Sequence, residues 1–171
     1  YLTDYAQKQD LLMWIMSEKQ IKNVLVFAKT KHRADKLAQK LSNAKISSAS
    51  IHGDKSQGAR QNALNNFKAN RIRVLVATDI AARGIDIDDL AYVINYDLPN
   101  EPETYVHRIG RTGRAGKSGI AISLCDFDEK PYLKDIQKLI KKDIPEIIEH
   151  PYPMTVFQKR DKPKRPQRKK R

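Results

Sequence analysis

Short, unbroken apolar runs separated by stretches of helical spacing constrain this chain more than any other feature. Residues 24–28, 73–77, 92–96 and 119–124 are rich in β-branched side chains, the pattern of strands covered on both faces. Residues 47–51 add a further strand. Between them, residues 31–42 place Ala34, Leu37, Ala38 and Leu41 at helical spacing, and residues 56–68 read as a helix with Ser56 as N-cap. Helices are also expected over 4–19, with Leu11, Leu12, Ile15 and Trp14 as inward candidates, after Pro102, and over 130–142. Such alternation defines an α/β domain on a parallel sheet flanked by helices. At 171 residues the chain amounts to one domain, able to bury roughly 70% of its unfolded surface.

The helix expected after Pro102 runs into His107-Arg108-Ile109-Gly110-Arg111-Thr112-Gly113-Arg114. At 3.6 residues per turn, positions 107, 111 and 114 stand at i, i+4 and i+7, so a continuous helix puts His107, Arg111 and Arg114 on one face. Guanidinium is permanently charged and presents planar paired donors, which suits a polyphosphate. Gly110 and Gly113 let a partner approach the backbone, at a helix-propensity cost of roughly 1 kcal/mol each. A merely solvated basic face, the usual meaning of a charge run, has no need of them. Arg108 lies off this face and is expected in a structural ion pair.

The second segment, VLVATDIAARGIDI from Val74, reads as a buried strand running directly into a polar loop. Ligands of open parallel sheets lie off the carboxyl ends of strands, which places Thr78, Asp79, Arg83 and Asp86 where a site belongs. Asp86 is suited to accept from ribose hydroxyls, and Thr78 to donate to a phosphate oxygen. The alternative is that the two aspartates only cap turns or helices.

Formal charge is +13, and it is uneven: residues 159–171 hold nine Lys or Arg against one Asp, a local +8. A mildly basic globule with a strongly basic arm points to polyanions, most simply nucleic acid. The single cysteine, Cys125, excludes an internal disulfide and fits a reducing, cytoplasmic setting. It ends an apolar run and reads as a buried small hydrophobe. No apolar stretch is long enough for a membrane span, and no secretory leader is evident. Because the chain opens with Tyr1, it is expected to be a piece of something longer.

Two look-alikes are set aside. Gly116-Lys117-Ser118 imitates the end of a phosphate-binding Walker loop, but the glycine required five positions earlier is Arg111, and a strand rather than a helix follows. There is no Asp-Glu-Ala-Asp tetrad, and the isolated His32 and His150 have no ligand spacing and are expected at the surface. No protein metal site is expected.

Together the two segments resemble the DEAD-box family of RNA helicases, specifically its C-terminal RecA-like domain. TDIAARGID is similar to the family's motif V, HRIGRTGR to motif VI, VLVFAKT to motif IV, and residues 53–60 carry the G-x-x-x-Q-x-x-R spacing of the next family motif. The wording around them, including IHGDKSQGAR, further resembles the bacterial RhlE-type subgroup. The resemblance implies a RecA-like domain over 20–144, with an N-terminal helix and interdomain region over 1–19 and a proline-rich basic tail over 145–171. It implies that ATP with Mg2+ is held mainly by an N-terminal RecA-like domain outside this chain, which leaves this chain inactive alone. Arg111 and Arg114 then act as arginine fingers, His107 connects to the partner domain, and Asp86 and Gly84 belong to the nucleotide site. For RNA it implies sugar-phosphate contacts from Gly53, Arg60, Thr78, Thr30 and Arg83. Thr30 is equally placed to be only a helix N-cap, and Arg60 to pair with Gln57 on a helix surface. Two competing readings are a non-enzymatic RNA-binding module driven by the tail and a DNA-directed translocase of the same superfamily.

Overall fold

Five parallel strands in the order β2-β3-β1-β4-β5 form the sheet, as found in the computed structural model, which describes residues 1–113 and 118–158. The elements run α1 (Lys8–Glu18), β1 (Val24–Phe27), α2 (Lys31–Asn43), β2 (Ser48–Ile51), α3 (Gln57–Lys68), β3 (Val74–Ala77), α4 (Asp79–Ala82), β4 (Tyr92–Asn95), α5 (Pro102–Ile109), β5 (Ile120–Ser123) and α6 (Lys130–Ile140). This is the α/β parallel sheet expected from the sequence. The central strands β1 and β3 are buried at every residue and pair in register, Val24 against Val74 through Phe27 against Ala77.

Side-chain alternation along the strands decides which layer each residue enters. Val24, Val26, Val74, Val76 and Ile94 pack under Leu11, Leu12, Ile15 and Met16 of α1 and Leu37 and Leu41 of α2. Leu25, Phe27, Leu75, Ala77 and Val93 face the other way, onto Leu64 and Phe67 of α3 and Ala81 and Ala82 of α4. A smaller cluster joins Leu98, Tyr105 and Cys125 to Leu133 and Ile136 of α6. Ser56 caps α3 as expected, its hydroxyl accepting from the Ala59 amide at 3.1 Å.

Three local features depart from the sequence expectation. The first helix opens with a 3-10 turn, Tyr5–Gln7, and α4 is a single turn that the polar spelling of TDIAA does not announce. The third departure is the largest: α5 ends at Ile109 with Gly110 as its C-cap, so the expected continuous helix through the arginines does not form. Thr112 instead forms a bridge to Leu90, and the Leu90 amide donates to the Arg111 carbonyl at 3.2 Å. These long-range bonds compete with continued helix and win.

A fully buried lysine, Lys8, ties α1 to the sheet. Its ammonium lies 2.6 Å from Glu129, 3.5 Å from Asp97 and 3.6 Å from Asp126. Burial works to lower its pKa, but the three carboxylates outweigh that and hold it above the ordinary lysine range. Asp97 also binds Arg33 at 2.6 Å and accepts from the Lys29 amide at 2.9 Å, fixing the loops that leave β1 and β4. Residues 145–158 form no helix or strand. They lie along the first residues of the chain: Thr3 donates to the Tyr152 carbonyl at 2.7 Å, and the Thr155 and Val156 amides donate to Asp4. His150, expected at the surface, is partly buried, with Nε2 3.0 Å from the Leu2 carbonyl and its ring against Tyr1 and Trp14.

Cys125 is buried, as expected, and burial pushes its thiol up to about 12. Because the thiolate is the reactive form, the native protein at neutral to mildly alkaline pH is expected to resist an aromatic disulfide reagent until denaturant is added. One equivalent of rapid reaction without denaturant would contradict that environment.

Candidate functional site

The parallel arrangement brings the carboxyl ends of β1 to β4 to one edge of the sheet, and of the candidates His107, Arg111, Arg83, Gly84 and Arg60 border two neighbouring recesses there. The first is lined by Phe27 from β1, Asp79, Ala82 and Arg83 from α4 and its C-cap, and Thr104, His107, Arg108 and Arg111 from α5 and the turn after it. The second is lined by Gln57, Arg60 and Gln61 at the start of α3, with Arg83, Gly84 and Ile85 from the loop after α4. Arg83 is exposed and borders both.

In the first recess Arg108 and Arg111 have different tasks. Arg108 is only 2% exposed and makes a paired contact with Asp79, Nε to Oδ1 at 2.6 Å and Nη2 to Oδ2 at 2.7 Å, while Nη1 donates to Asn95 and to the Asp97 carbonyl. This is the structural ion pair expected of it, and Asp79 is thereby engaged. Arg111 is partly exposed; its Nη1 donates to the Ile85 carbonyl at 2.8 Å and its Nη2 to the Ala82 carbonyl at 3.0 Å. The loop after α4 and the turn after α5 are thus held together by one guanidinium. His107 is exposed on the last turn of α5 beside it. Arg114 lies outside the described residues, and α5 ends at Ile109, so Arg111 already stands beyond the helix expected to align it with His107.

The remaining candidates stand along the same edge. Thr78 is the N-cap residue of α4, yet its side chain makes no capping bond. Thr30 does cap α2, accepting from the Arg33 amide at 3.2 Å, and its hydroxyl proton can still be donated outward. Gly84 has φ +77°, a backbone region that favours glycine. Gly53, exposed after β2, differs: a Cβ there would meet nothing within 4 Å, so packing within this domain does not require glycine. Asp86 is 91% exposed with Lys68 3.4 Å away, and it lines neither recess. Among the described residues, no group of three His, Cys, Asp or Glu side chains is arranged to hold a metal ion.

Sequence reasoning missed a polar cluster beside Gly53. His52 Nε2 lies 2.8 Å from Asp35, and Asp35 also receives Ser50 Oγ at 2.5 Å and Lys55 Nζ at 3.1 Å. The only available signal was a histidine immediately before a candidate glycine. Burial works to raise the Asp35 carboxyl, but the hydrogen bonds from Ser50, His52 and Lys55 together outweigh it and bring the group down to about 2. A depressed carboxylate pKa stabilises the fold above the unfolded value near 3.8, and that contribution fades as pH falls toward about 2. The stability gap between wild type and Asp35→Asn, read from denaturant midpoints, is therefore expected to be full at pH 6 and to close below about pH 4. A gap independent of pH would show that the carboxylate charge is not what holds the cluster.

A twisted parallel sheet with basic recesses along its carboxyl edge is the architecture of a RecA-like domain, and comparison with known proteins agrees. Residues 7–116 match the family described as the helicase conserved C-terminal domain. The ATP-dependent RNA helicase CshA of Listeria monocytogenes is 45% identical over 136 residues, covering 80% of this chain and 26% of that protein. The probable ATP-dependent RNA helicase DDX4 of Pelophylax lessonae is 45% identical over 140 residues, covering 80% of this chain and 19% of its own length. Among solved structures, the E. coli DEAD-box protein SrmB, bound to regulator of ribonuclease activity A, superimposes with a TM-score of 0.84 at 36% identity over 94% of this chain and 95% of that one. The C-terminal domain of the DEAD-box protein Dbp5 gives a TM-score of 0.74 at 37% identity, covering 82% and 83%. The chain belongs to the helicase conserved C-terminal domain family, as the C-terminal domain of a DEAD-box RNA helicase. It spans about a quarter of the length of relatives such as CshA.

Proposed function

We propose that this chain is the half of an ATP-dependent RNA helicase that completes a nucleotide site held mainly by an N-terminal RecA-like domain. The supporting observation is the first recess, where His107, Arg111 and Arg83 border one cavity at the sheet edge while Asp79 is tied to buried Arg108. Arg83 and Arg111 bring positive charge to the recess, with Asp88 3.8 Å from the Arg111 guanidinium, and Asp79, the carboxylate that lines it, is engaged by Arg108. That fits an anionic phosphate chain, with the Mg2+ of ATP carried by the other domain. When bound, ATP supplies the phosphoryl group whose transfer to water drives the cycle. Arg111 and Arg114 offer guanidinium donors to its γ-phosphate, His107 orients toward the partner domain, and Gly84 and Asp86 serve the nucleotide, Asp86 accepting from ribose.

The second recess supports the RNA half of the proposal. Arg60 and Arg83 border it, and Gly53, Thr78 and Thr30 lie along the same edge, all suited to sugar-phosphate contacts that do not read bases. A glycine at 53 without an internal packing reason is accounted for by close approach of an RNA phosphate to its amide. Arg83, bordering both recesses, is placed to link nucleotide and RNA. Local unwinding follows when the two closed domains hold one strand bent, and hydrolysis releases it. The division at residues 20 and 145, the RhlE-type wording of IHGDKSQGAR, a cytoplasmic setting and a polyanion-binding role for the tail over 159–171 are parts of this proposal. The tail lies outside the described residues.

The purified chain alone is expected to show no RNA-stimulated ATP hydrolysis, and turnover is expected once it is joined to its N-terminal domain. Hydrolysis by the chain alone would overturn the division of labour. A joined protein that bound RNA without ATP turnover would favour the plain binding module.

A further inference from the structure

His52 follows β2, immediately before Gly53, and is only 3% exposed. Its Nδ1 accepts from the Asp54 amide at 3.2 Å, and its Nε2 lies 2.8 Å from Asp35 Oδ2. A ring nitrogen that accepts from an amide carries no proton, so the imidazole proton sits on Nε2 and is donated to Asp35. Asp35 comes from α2 and is held in turn by Ser50 and Lys55. The Lys55 amide donates back to the His52 carbonyl at 3.1 Å, and Lys31 pairs with Asp54 at 2.5 Å. The turn from β2 into α3 is therefore fastened on both flanks of Gly53, while Gly53 itself stays open. Ser56 then caps α3, and the Arg60 amide donates to the Ser56 carbonyl at 3.0 Å, so the orientation of the turn is transmitted to Arg60.

We propose that His52, oriented by Asp35, is a positioning residue for RNA: it fixes the turn so that the Gly53 amide and the Arg60 side chain meet the sugar-phosphate backbone together. His52 touches no ligand, and the inference rests on the reading that Gly53 and Arg60 contact RNA. Ordering the turn before binding removes a conformational cost that RNA would otherwise have to meet.

Two substitutions separate the limbs of the imidazole in the full-length protein. His52→Gln places an amide nitrogen near the Nε2 position, keeping donation to Asp35 while removing the acceptor for the Asp54 amide. His52→Asn places its oxygen near the Nδ1 position and keeps that acceptor. The measurement is RNA-stimulated ATP hydrolysis with short single-stranded RNA, resolved into KM for RNA and kcat. His52→Gln is expected to raise KM for RNA about five-fold, the size one neutral hydrogen bond supplies, with kcat unchanged. His52→Asn is expected to recover part of that loss, because it restores the acceptor for the Asp54 amide but not the bond to Asp35. Wild-type KM in His52→Gln, with Arg60→Ala weakened, overturns the positioning role alone. Wild-type KM in Arg60→Ala overturns the RNA-contact reading on which it depends. Should the His52 variants fail to fold, a long-range proton–nitrogen spectrum of the unsubstituted protein decides: Nε2 protonated and Nδ1 bare supports the proposal, and a proton on Nδ1 overturns it.

Discussion

Arg111→Ala in the full-length protein is expected to lower kcat for ATP hydrolysis by ~10³ or more at saturating ATP and RNA, the lower end of what an arginine finger contributes. That corresponds to about 4 kcal/mol of transition-state stabilisation. Structure adds a second route to the loss. The same guanidinium ties the Ala82 and Ile85 carbonyls, so its removal also loosens the loop carrying Gly84 and Asp86. Lysine is not expected to rescue, because a single ammonium cannot reproduce the planar fork that spans two carbonyls and still faces a phosphate. The domain should remain folded: Arg111 is partly exposed, so water can replace its donors at the Ala82 and Ile85 carbonyls, and its ion pair with Asp88 is long at 3.8 Å. Near-normal kcat in Arg111→Ala would remove the residue from the catalytic assignment, whatever its effect on KM.

What the sequence disclosed depended on whether the deciding contacts were local. Strand faces and the α2 and α3 helices were legible because their apolar periodicity matches what they bury, and Ser56 is a local N-cap. The end of α5 was not legible. Helical spacing alone carries His107, Arg111 and Arg114 onto one face, and what breaks it is a bridge from Thr112 to Leu90, a residue 22 positions away. The ion pair of Arg108 was expected, but its partner Asp79 lies 29 positions earlier and looked like a nucleotide ligand or a cap. Lys8 shows the same limit: nothing local marks it as buried, and the carboxylates of Asp97, Asp126 and Glu129 that converge on it lie far along the chain. Of the candidate site, Thr78, Asp79 and Arg83 were legible as following directly on β3, whereas the two recesses, with Arg83 bordering both, and the Asp35–His52 cluster are tertiary results.

Arg108→Ala separates structural from catalytic arginine, because it should destabilise the domain by roughly 3–5 kcal/mol, the usual cost of removing one partner from a buried ion pair. Four hydrogen bonds disappear together: two to Asp79, one to the Asn95 oxygen and one to the Asp97 carbonyl. Asn95 and Asp97 are fully buried, so no water replaces the lost donors without opening the core, and the guanidinium also leaves the face of Phe27, which it covers at 5.0 Å. For a domain of this size, the loss corresponds to a fall in Tm of roughly 10 °C. Arg108→Lys should recover little, since a compact ammonium lacks the planar, spread donors that reach Asp79, Asn95 and the Asp97 carbonyl at once. Asp79→Asn combined with Arg108→Ala should cost less than the sum of the single changes, because the pair is coupled through direct contact. A Tm within about 2 °C of wild type for Arg108→Ala, equivalent to less than 1 kcal/mol, would mean that the buried pair does not anchor the loop after β3 to α5. The opposing phenotypes then form one argument: Arg108 is needed for the recess to exist, and Arg111, still folded when lost, for what the recess does.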